Sequence, residues 1–353
     1  MTDMQPAILV EVRNHIGYLI LNRPAGLNAL TLEMIQLLQQ QLDSWRDDDN
    51  IKAVVLRGNG ERAFCAGGDI RALYDSFKAD DGVYVTFFEE EYALDHAIHI
   101  YPKPVLALMH GFVLGGGMGL VQGASHRVIT EDTRMGMPET GIGYFPDVGG
   151  SYFLSRLPGE AGTYLGVTGK HIGAADALHI GLADYCINSD LLPILDDLNW
   201  SSSPHQQLSE LLNSLANKQL PPAEISQLQP AIDRHFLHNS VGAIRDSLGD
   251  ESDEALRPWA EKTAAILARQ SPLAMCVTLE MLRRGRELNL AQCFELELHL
   301  DRQWFAKGDI VEGVRALIID KDKNPQWNPP SLEELDAQQV ADFFAGFVPS
   351  SSQ

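Results

Sequence analysis

The chain has 353 residues, enough for one large domain or two ordinary ones, and its 45% hydrophobic and 21% charged residues are typical of a globular protein. Its 27 basic and 48 acidic residues give a formal charge of −21, which disfavours a nucleic-acid-binding protein because such proteins carry a basic surface. No apolar run reaches the length of a membrane helix and the N-terminus has no signal or transit pattern, so we expect a cytoplasmic protein with no nucleic-acid or membrane partner.

The first third of the chain alternates strand-like runs, turns and helical sequence. Residues 8–13 and 15–21 are two short strand-like runs, which predict a hairpin with its turn near Asn14. Thr31 is expected to begin a helix with apolar residues on one face. Buried strands are predicted at 52–57, 105–109 and 127–130, and a long helix at about 86–100. This alternation indicates an α/β architecture.

The composition changes near residue 189. A Ser-, Pro- and Gln-rich span follows, which is typical of short helices joined by loops or of a domain junction. Beyond it the sequence is strongly helical, and Ser271 before a proline predicts a helix cap. We therefore divide the chain into a core at residues 1–190 and a mainly helical region at 191–353, which serves as a lid or as a contact of a homo-oligomer.

The cysteines predict no metal or redox centre. Cys65, Cys186, Cys276 and Cys293 form no CxxC pair, so we expect reduced thiols and no metal site. Cys65 stands in a glycine-rich segment, but the sequence places no partner histidine beside it. A small buried residue is therefore the favoured interpretation of Cys65.

Two glycine clusters occupy comparable places, each after a strand and before helical sequence. The first is Ala66-Gly67-Gly68-Asp69 and the second is Gly115-Gly116-Gly117. Glycine permits tight turns and close approach of the backbone to a ligand, and amides at a helix start carry partial positive charge. One amide from each turn, aimed at one point, would stabilise a developing oxyanion, although either cluster alone is more typical of an ordinary turn.

A set of short motifs, in matching order and spacing, resembles the crotonase (enoyl-CoA hydratase/isomerase) superfamily over residues 8–190. The motifs are Asn22-Arg23-Pro24, Asn28-Ala29-Leu30, the segment 63–70, His110-Gly111 and Gly115-Gly116-Gly117. The resemblance implies an α/β fold of the crotonase type, a spiral of ββα units with a helical C-terminal region.

The resemblance also implies roles for the glycine turns. The amides of Gly68 and Gly116 would grip the thioester carbonyl of an acyl-CoA substrate. The neighbouring residues would flank the adenine and pantetheine of the same molecule; they are Ala66, Gly67, Asp69 and Ile70. CoA is then part of the substrate, and no separate cofactor is expected.

Two acids, Glu139 and Asp147, lie in a Gly- and Pro-rich apolar stretch. Burial in such a setting raises the pKa of a carboxyl group and suits it to acid–base catalysis. From spacing alone, a helix cap for Glu139 and a turn residue for Asp147 are alternatives. The resemblance matches Glu139 to one of the two catalytic glutamates of the hydratases, whereas the other would fall at Gly119 and is missing.

A sequence that has Glu139 but lacks the second glutamate resembles one branch of the superfamily. That branch hydrolyses 3-hydroxyacyl-CoA thioesters of valine breakdown. The likeness to that branch covers nearly the whole chain, although the Ser- and Gln-rich middle matches weakly. It implies substrate contact or catalysis by four residues, which are Glu91, Gly116, Glu139 and Asp147. The expected reaction releases the free acid and CoA, with Glu139 as nucleophile or as general base.

Two other functions stay open at this point. An enoyl-CoA hydratase or isomerase is the first, and Gly119 weakens it because hydration needs two carboxylates around one water. A non-catalytic acyl-CoA-binding protein is the second, and the retained Glu139 and Asp147 argue against it. The basic segment 282–287 is more typical of a solvated helix face than of a phosphate site, and we assign it no role.

Overall fold

The structure, a computed structural model, describes residues 6–197 and 204–351. They fold into two compact units. The first contains residues 6–69, 89–135, 172–197 and 204–224, and the second contains residues 70–88, 136–171 and 225–351. Because segments 70–88 and 136–171 pack with the C-terminal helices, the border between the units does not coincide with the predicted division at residue 190.

The strands of the described chain are short. They are β1 (Ile8–Arg13), β2 (Ile16–Leu21), β3 (Ala53–Gly58), β4 (Ala63–Cys65), β5 (Val105–Met109), β6 (Phe112–Leu114), β7 (His126–Thr130), β8 (Arg134–Gly136), β9 (Ile172–Gly173) and β10 (Tyr185–Ile187). The predicted hairpin of β1 and β2 and the predicted strands β3, β5 and β7 are confirmed. Strands β4, β6 and β8 to β10 were not predicted, because two or three residues are too few for a period to be recognised.

The helices alternate with these strands and then dominate the C-terminal third. They are α1 (Leu32–Arg46), α2 (Ile70–Ala79), α3 (Val83–His99), α4 (Gly116–Gln122), α5 (Gly150–Phe153), α6 (Ala161–Thr168), α7 (Ala174–His179), α8 (Pro204–Leu215), α9 (Glu224–Phe236), α10 (Val241–Gly249), α11 (Arg257–Leu267), α12 (Pro272–Gly285), α13 (Leu290–Lys307), α14 (Ile310–Val314) and α15 (Ala337–Phe344). Short 3₁₀ helices cover Pro24–Gly26, Glu139–Ile142, Leu154–Arg156 and Ser189–Asp197, and a π-helical turn covers Arg315–Ile319.

The side-chain caps explain where two predicted helices begin. Thr31 accepts a hydrogen bond from the Met34 amide at the start of α1, and Ser271 accepts one from the Ala274 amide at the start of α12. The predicted long helix is α3, which begins three residues earlier than expected. Helix α2, which follows the first glycine turn, was not predicted.

Strands β3 to β8 belong alternately to two sheets. The six-stranded sheet has the order β1-β2-β3-β5-β7-β10, and the four-stranded sheet has the order β4-β6-β8-β9. In the pairs β3/β4, β5/β6 and β7/β8 the first strand joins the larger sheet and the second joins the smaller one. A helix follows each of the first two pairs, so the predicted spiral of ββα units is confirmed.

One hydrophobic cluster of the first unit lies on one face of the six-stranded sheet. Apolar side chains of its strands pack there against Leu208 and Leu212 of α8. The strand residues in this cluster are Ile16, Tyr18, Ala53, Val55, Leu106, Leu108, Val128 and Ile187. The Gln-rich middle of the chain thus supplies a helix that covers the sheet, because the apolar stripe of α8 needs a surface on which to be buried. Within the described residues, no helix combines the length and apolar composition needed to cross a bilayer.

We predict that Gly111→Ala destabilises the fold far more than Gly181→Ala. Both glycines have left-handed φ angles, +56° and +81°, but only at Gly111 would a Cβ collide with backbone, at the carbonyl of Arg62. The left-handed conformation alone costs about 1–2 kcal/mol for alanine, and overpacking adds about 1–3 kcal/mol. Urea unfolding of both variants measures the difference, and equal losses of stability would contradict this explanation.

Candidate active site

The two glycine turns are in contact within the first unit. A Cβ on Gly67, whose φ is +99°, would lie 3.3 Å from the carbonyl oxygen of Leu114 and 3.6 Å from the amide nitrogen of Gly116. A Cβ on Gly117 would lie 2.5 Å from the carbonyl oxygen of Cys65. The backbones can approach this closely only because side chains are absent from both turns. The clusters that stand apart in the sequence are therefore neighbours in the fold.

Within the described part of the chain, each turn has one amide for which the structure shows no acceptor. The Leu30 amide donates to the Gly67 carbonyl at 2.8 Å, and the Asp69 amide donates to the Leu30 carbonyl at 2.8 Å. The Gly68 amide between them has no acceptor among the described residues. Gly116 is the first residue of α4, where amides lack an acceptor within the helix. Two such amides thus lie on adjacent segments, and their joint role as an oxyanion hole stays a prediction.

The residues beside the first turn are partly exposed and anchored from behind. The Ala66 amide donates to the Leu27 carbonyl at 3.0 Å, and the Asp69 carboxylate pairs with the Arg23 guanidinium at 3.0 Å. Ile70 begins α2. These two interactions hold the backbone of the turn in place. Contact of Ala66, Gly67, Asp69 and Ile70 with the adenine and pantetheine of CoA stays a prediction.

Glu91 of α3 lies against Gly116. Its side chain is buried, and a Cβ at position 116 would collide with its Oε1 atom, so glycine leaves room for this carboxylate.

Burial, followed by the charges of Glu91 and Asp95, raises the pKa of the Cys65 thiol to about 12. Such a thiol is not a nucleophile at neutral pH. The prediction that Cys65 is a small, buried, free cysteine is confirmed.

Glu139 and Asp147 belong to one loop of the second unit, and both are buried. Glu139 opens the 3₁₀ helix that follows Pro138, and its Oε2 atom has no hydrogen-bond partner among the described residues. Burial, and then the charge of Asp147, raise the pKa of Glu139 well above its ordinary value of 4.5. A raised pKa makes the ionised carboxylate a stronger base, which suits it to acid–base catalysis. Glu139 is the first residue of this 3₁₀ helix, and its N-cap is Pro138.

Helix α13 supports this loop along its length. The Tyr144 hydroxyl donates to Asp301 Oδ1 at 2.8 Å, and the Trp304 indole nitrogen donates to the Gly143 carbonyl at 2.8 Å. Both Asp301 and Trp304 are buried. The loop that carries the two acids is thus held by side chains from about 160 residues further along the chain.

Sequence reasoning missed two acids of α13, Glu297 and Asp301. They lie four residues apart, face the loop of Glu139 and Asp147, and are buried. Acids at helical spacing inside an apolar helix were the available signal, because buried carboxylates need specific partners.

The basic segment 282–287 was interpreted wrongly as a solvated face. Arg283 and Arg286 both pair with the buried carboxylate of Glu160 at 2.9 Å, and Arg283 also donates to the Phe236 carbonyl. These arginines hold the second unit together, which agrees with giving them no role in substrate binding.

The family model described as enoyl-CoA hydratase/isomerase matches residues 16–344. The chain belongs to this family, and the predicted membership of the crotonase superfamily is confirmed. Within it, the chain is 38% identical to 3-hydroxyisobutyryl-CoA hydrolase, mitochondrial, of Gallus gallus over 97% of this chain and 90% of that protein. It is 36% identical to 3-hydroxyisobutyryl-CoA hydrolase 1 of Arabidopsis thaliana, over 96% and 92%.

Two solved structures share the fold over almost their whole length. A carnitinyl-CoA dehydratase from Mycobacterium thermoresistibile superposes with a TM-score of 0.89 at 35% identity and covers 98% of both chains. An enoyl-CoA hydratase from Rhodobacter sphaeroides superposes with a TM-score of 0.87 at 35% identity and covers 96% of this chain and 97% of its own. The names of these structures and those of the curated relatives thus imply different reactions on CoA esters.

We predict that Glu139→Gln gains stability relative to wild type as the pH rises from 5 to 8. A group whose pKa is raised in the folded state destabilises that state as the pH climbs above the unfolded value, here 4.5, and glutamine removes this loss. Thermal unfolding at both pH values measures the difference. Glu261→Gln, an exposed site in the same unit, is the control. A pH-independent difference for Glu139→Gln would contradict the raised pKa.

Proposed function

We propose that this chain hydrolyses the thioester of 3-hydroxyisobutyryl-CoA, or of a closely related 3-hydroxyacyl-CoA, to the free acid and CoA. The support is the name shared by curated relatives that match nearly the whole chain. The single observation that carries the proposal is Glu139, a buried carboxyl group with a raised pKa and a free oxygen, in a chain that has Gly119 where hydratases have their second glutamate.

The glycine turns act on the thioester carbonyl in this proposal. The amides of Gly68 and Gly116 bind the carbonyl oxygen and stabilise the negative charge that develops as the tetrahedral intermediate forms. Removing one such donor typically costs on the order of 3 kcal/mol in the barrier. Their lack of acceptors among residues 6–197 and 204–351 supports this role, because a ligand oxygen would then complete their hydrogen bonds.

Glu139 drives the cleavage by one of two routes. It attacks the carbonyl carbon and forms a mixed anhydride, which water then opens, or it takes a proton from a water molecule that attacks directly. In both routes the C–S bond breaks and CoA leaves as a thiolate, which needs no strong acid because thiols ionise at moderate pH. The raised pKa of Glu139 supports the second route, because it makes the ionised carboxylate a stronger base.

The other acids orient the reactants. Asp147 positions the water or the 3-hydroxyl group and takes part with Glu139 in proton transfer. Glu91 binds the hydroxyl end of the acyl group. Its position against Gly116 supports this role, because an acyl group whose carbonyl is held by the Gly116 amide has its 3-hydroxyl only a few atoms away.

A hydratase is the second candidate, and the names of the two superposed structures favour it. Position 119 weighs against it. Gly119 lies in the fully buried helix α4 and carries no carboxylate, so the pair of acids that holds the attacking water in hydration is incomplete. A crotonyl-CoA assay that follows the loss of conjugated absorbance separates the two reactions.

Three further properties belong to the proposal. The reaction uses CoA as part of the substrate and needs no other cofactor and no metal. A homo-oligomer stays a prediction, as does a cytoplasmic location. The vertebrate relatives carry the word mitochondrial in their names, which supports no cytoplasmic assignment for this chain.

We predict that Glu139→Gln and Asp147→Asn each lower kcat for release of free thiol from 3-hydroxyisobutyryl-CoA by about 10²-fold or more. Acid–base catalysis by a positioned carboxyl group contributes on that scale, and both substitutions keep the size of the side chain. A thiol-reactive dye measures the release across a panel of acyl-CoAs. Glu261→Gln, folded and exposed, should keep the wild-type rate. Full activity of Glu139→Gln would remove the central assignment.

A single turnover in ¹⁸O-labelled water tests for an anhydride on Glu139. An anhydride opened at the enzyme's own carbonyl leaves the label in the Glu139 carboxyl group. Label found wholly in the product acid excludes opening at that carbonyl, since direct attack by water and opening at the acyl carbonyl both place the label in the product. Mass spectrometry of the peptide that contains residue 139 reads the result.

A further inference from the structure

Glu297 of α13 accepts hydrogen bonds from the backbone that follows Asp147. One of its oxygens accepts a hydrogen bond from the Gly149 amide at 2.7 Å. The other accepts bonds from the Ser151 amide at 2.8 Å and from the Ser151 hydroxyl at 2.5 Å. The Glu297 side chain has no exposure to solvent. A fully buried carboxylate with donors on both oxygens is a specific structural element, because burial without them would be costly.

The segment between Asp147 and Ser151 has an unusual backbone conformation. Val148 and Gly149 both have left-handed φ angles, +52° and +84°. A β-branched residue rarely adopts this conformation, and it persists only where the surroundings enforce it. The turn is closed by the Gly150 amide, which donates to the Asp147 carbonyl at 2.7 Å. The direction of the Asp147 side chain thus depends on a strained pair of residues that Glu297 holds at its far end.

We propose that Glu297 is a positioning residue for Asp147: by accepting the amides of Gly149 and Ser151, it keeps Val148 in the left-handed conformation and so aims the Asp147 carboxylate. The proposal rests on the proposed function, in which Asp147 orients the water or the 3-hydroxyl group. Without the acceptor, two buried amides would lack partners, and the backbone between Asp147 and Ser151 would relax to satisfy them.

Electrostatics supports the proximity of these acids. Burial, offset by the three hydrogen bonds and reinforced by the charge of Asp147, raises the pKa of Glu297 to about 8. The charge of Asp147 also raises the pKa of Glu139. Asp147 therefore interacts with both buried glutamates, and a shift in its position would alter the environment of Glu139.

A purely structural role for Glu297 makes a different prediction. If Glu297 only stabilises the start of α5, its replacement lowers stability and leaves kcat per folded molecule unchanged. Glu160 offers the matched comparison, because it is a buried glutamate of the same unit that pairs with Arg283 and Arg286 and lies outside the loop of the two acids.

The test compares Glu297→Gln, Ser151→Ala and Glu160→Gln, each alone and with Asp147→Asn, in the thiol-release assay with 3-hydroxyisobutyryl-CoA. Glutamine keeps the size of the side chain, but its NH₂ group must face one of the two backbone donors. Alanine at position 151 removes the hydroxyl bond to Glu297 and the contact of that hydroxyl with the Cys293 thiol, so the carboxylate is held by the two amides alone and holds them less firmly. Concentrations are corrected for the folded fraction.

We expect Glu297→Gln to lower kcat about tenfold or more with KM within twofold, since small misplacements of a catalytic group are costly. In the Asp147→Asn background the same change should alter the residual rate less than twofold. Ser151→Ala should lower kcat two- to threefold and show the same loss of effect in that background. Glu160→Gln should keep kcat in both backgrounds.

Hydrogen exchange supplies a readout that does not depend on turnover. The amides of Gly149 and Ser151 should exchange faster in Glu297→Gln and stay protected in Glu160→Gln. Unchanged exchange, unchanged kcat, or an equal loss of rate in both backgrounds would overturn the positioning role. If Glu297→Gln does not fold, Ser151→Ala decides by the same criteria. Full activity of Asp147→Asn would instead overturn the proposed function, whatever Glu297 does.

Discussion

Close backbone contact between two glycine turns is the constraint on which the proposed site depends. Side chains at Gly67 or Gly117 would meet the opposite turn, and one at Gly116 would meet Glu91. Because these side chains are absent, two amides lie on adjacent segments, neither with an acceptor in the part of the chain that the structure describes, and a carboxylate is buried beside one of them. The spiral of ββα units produces this arrangement, since each turn follows a strand of the smaller sheet, β4 or β6.

The second unit contributes a different kind of chemistry. Its loop at 139–153 buries two acids, which costs stability because a desolvated carboxyl group resists ionisation. Helix α13 offsets part of that cost by holding the loop at Gly143, Tyr144 and Gly149. Sites that work by acid–base chemistry commonly trade stability for reactivity in this way. The raised pKa of Glu139 is the result of that trade.

Local signals were readable from the sequence, and long-range partners were not. The hairpin, the buried strands and the caps at Thr31 and Ser271 follow from short-range patterns and were predicted correctly. The acids at 139 and 147 were found because charge is rare in apolar, glycine-rich loops. The hydrogen bond between Glu297 and the Gly149 amide joins residues 148 positions apart in the chain. No local pattern specifies which loop a buried acid of a helix will face. Strands of two or three residues were missed for the same reason, since tertiary pairing defines them.

The most direct test is a crystal structure with a 3-hydroxyacyl-CoA analogue in which a methylene group replaces the thioester sulfur, so that the bond cannot be cleaved. The account predicts that the carbonyl oxygen of the analogue lies within about 3 Å of the amide nitrogens of both Gly68 and Gly116. A carbonyl oxygen bound by a side chain or by solvent, and distant from either amide, would contradict it.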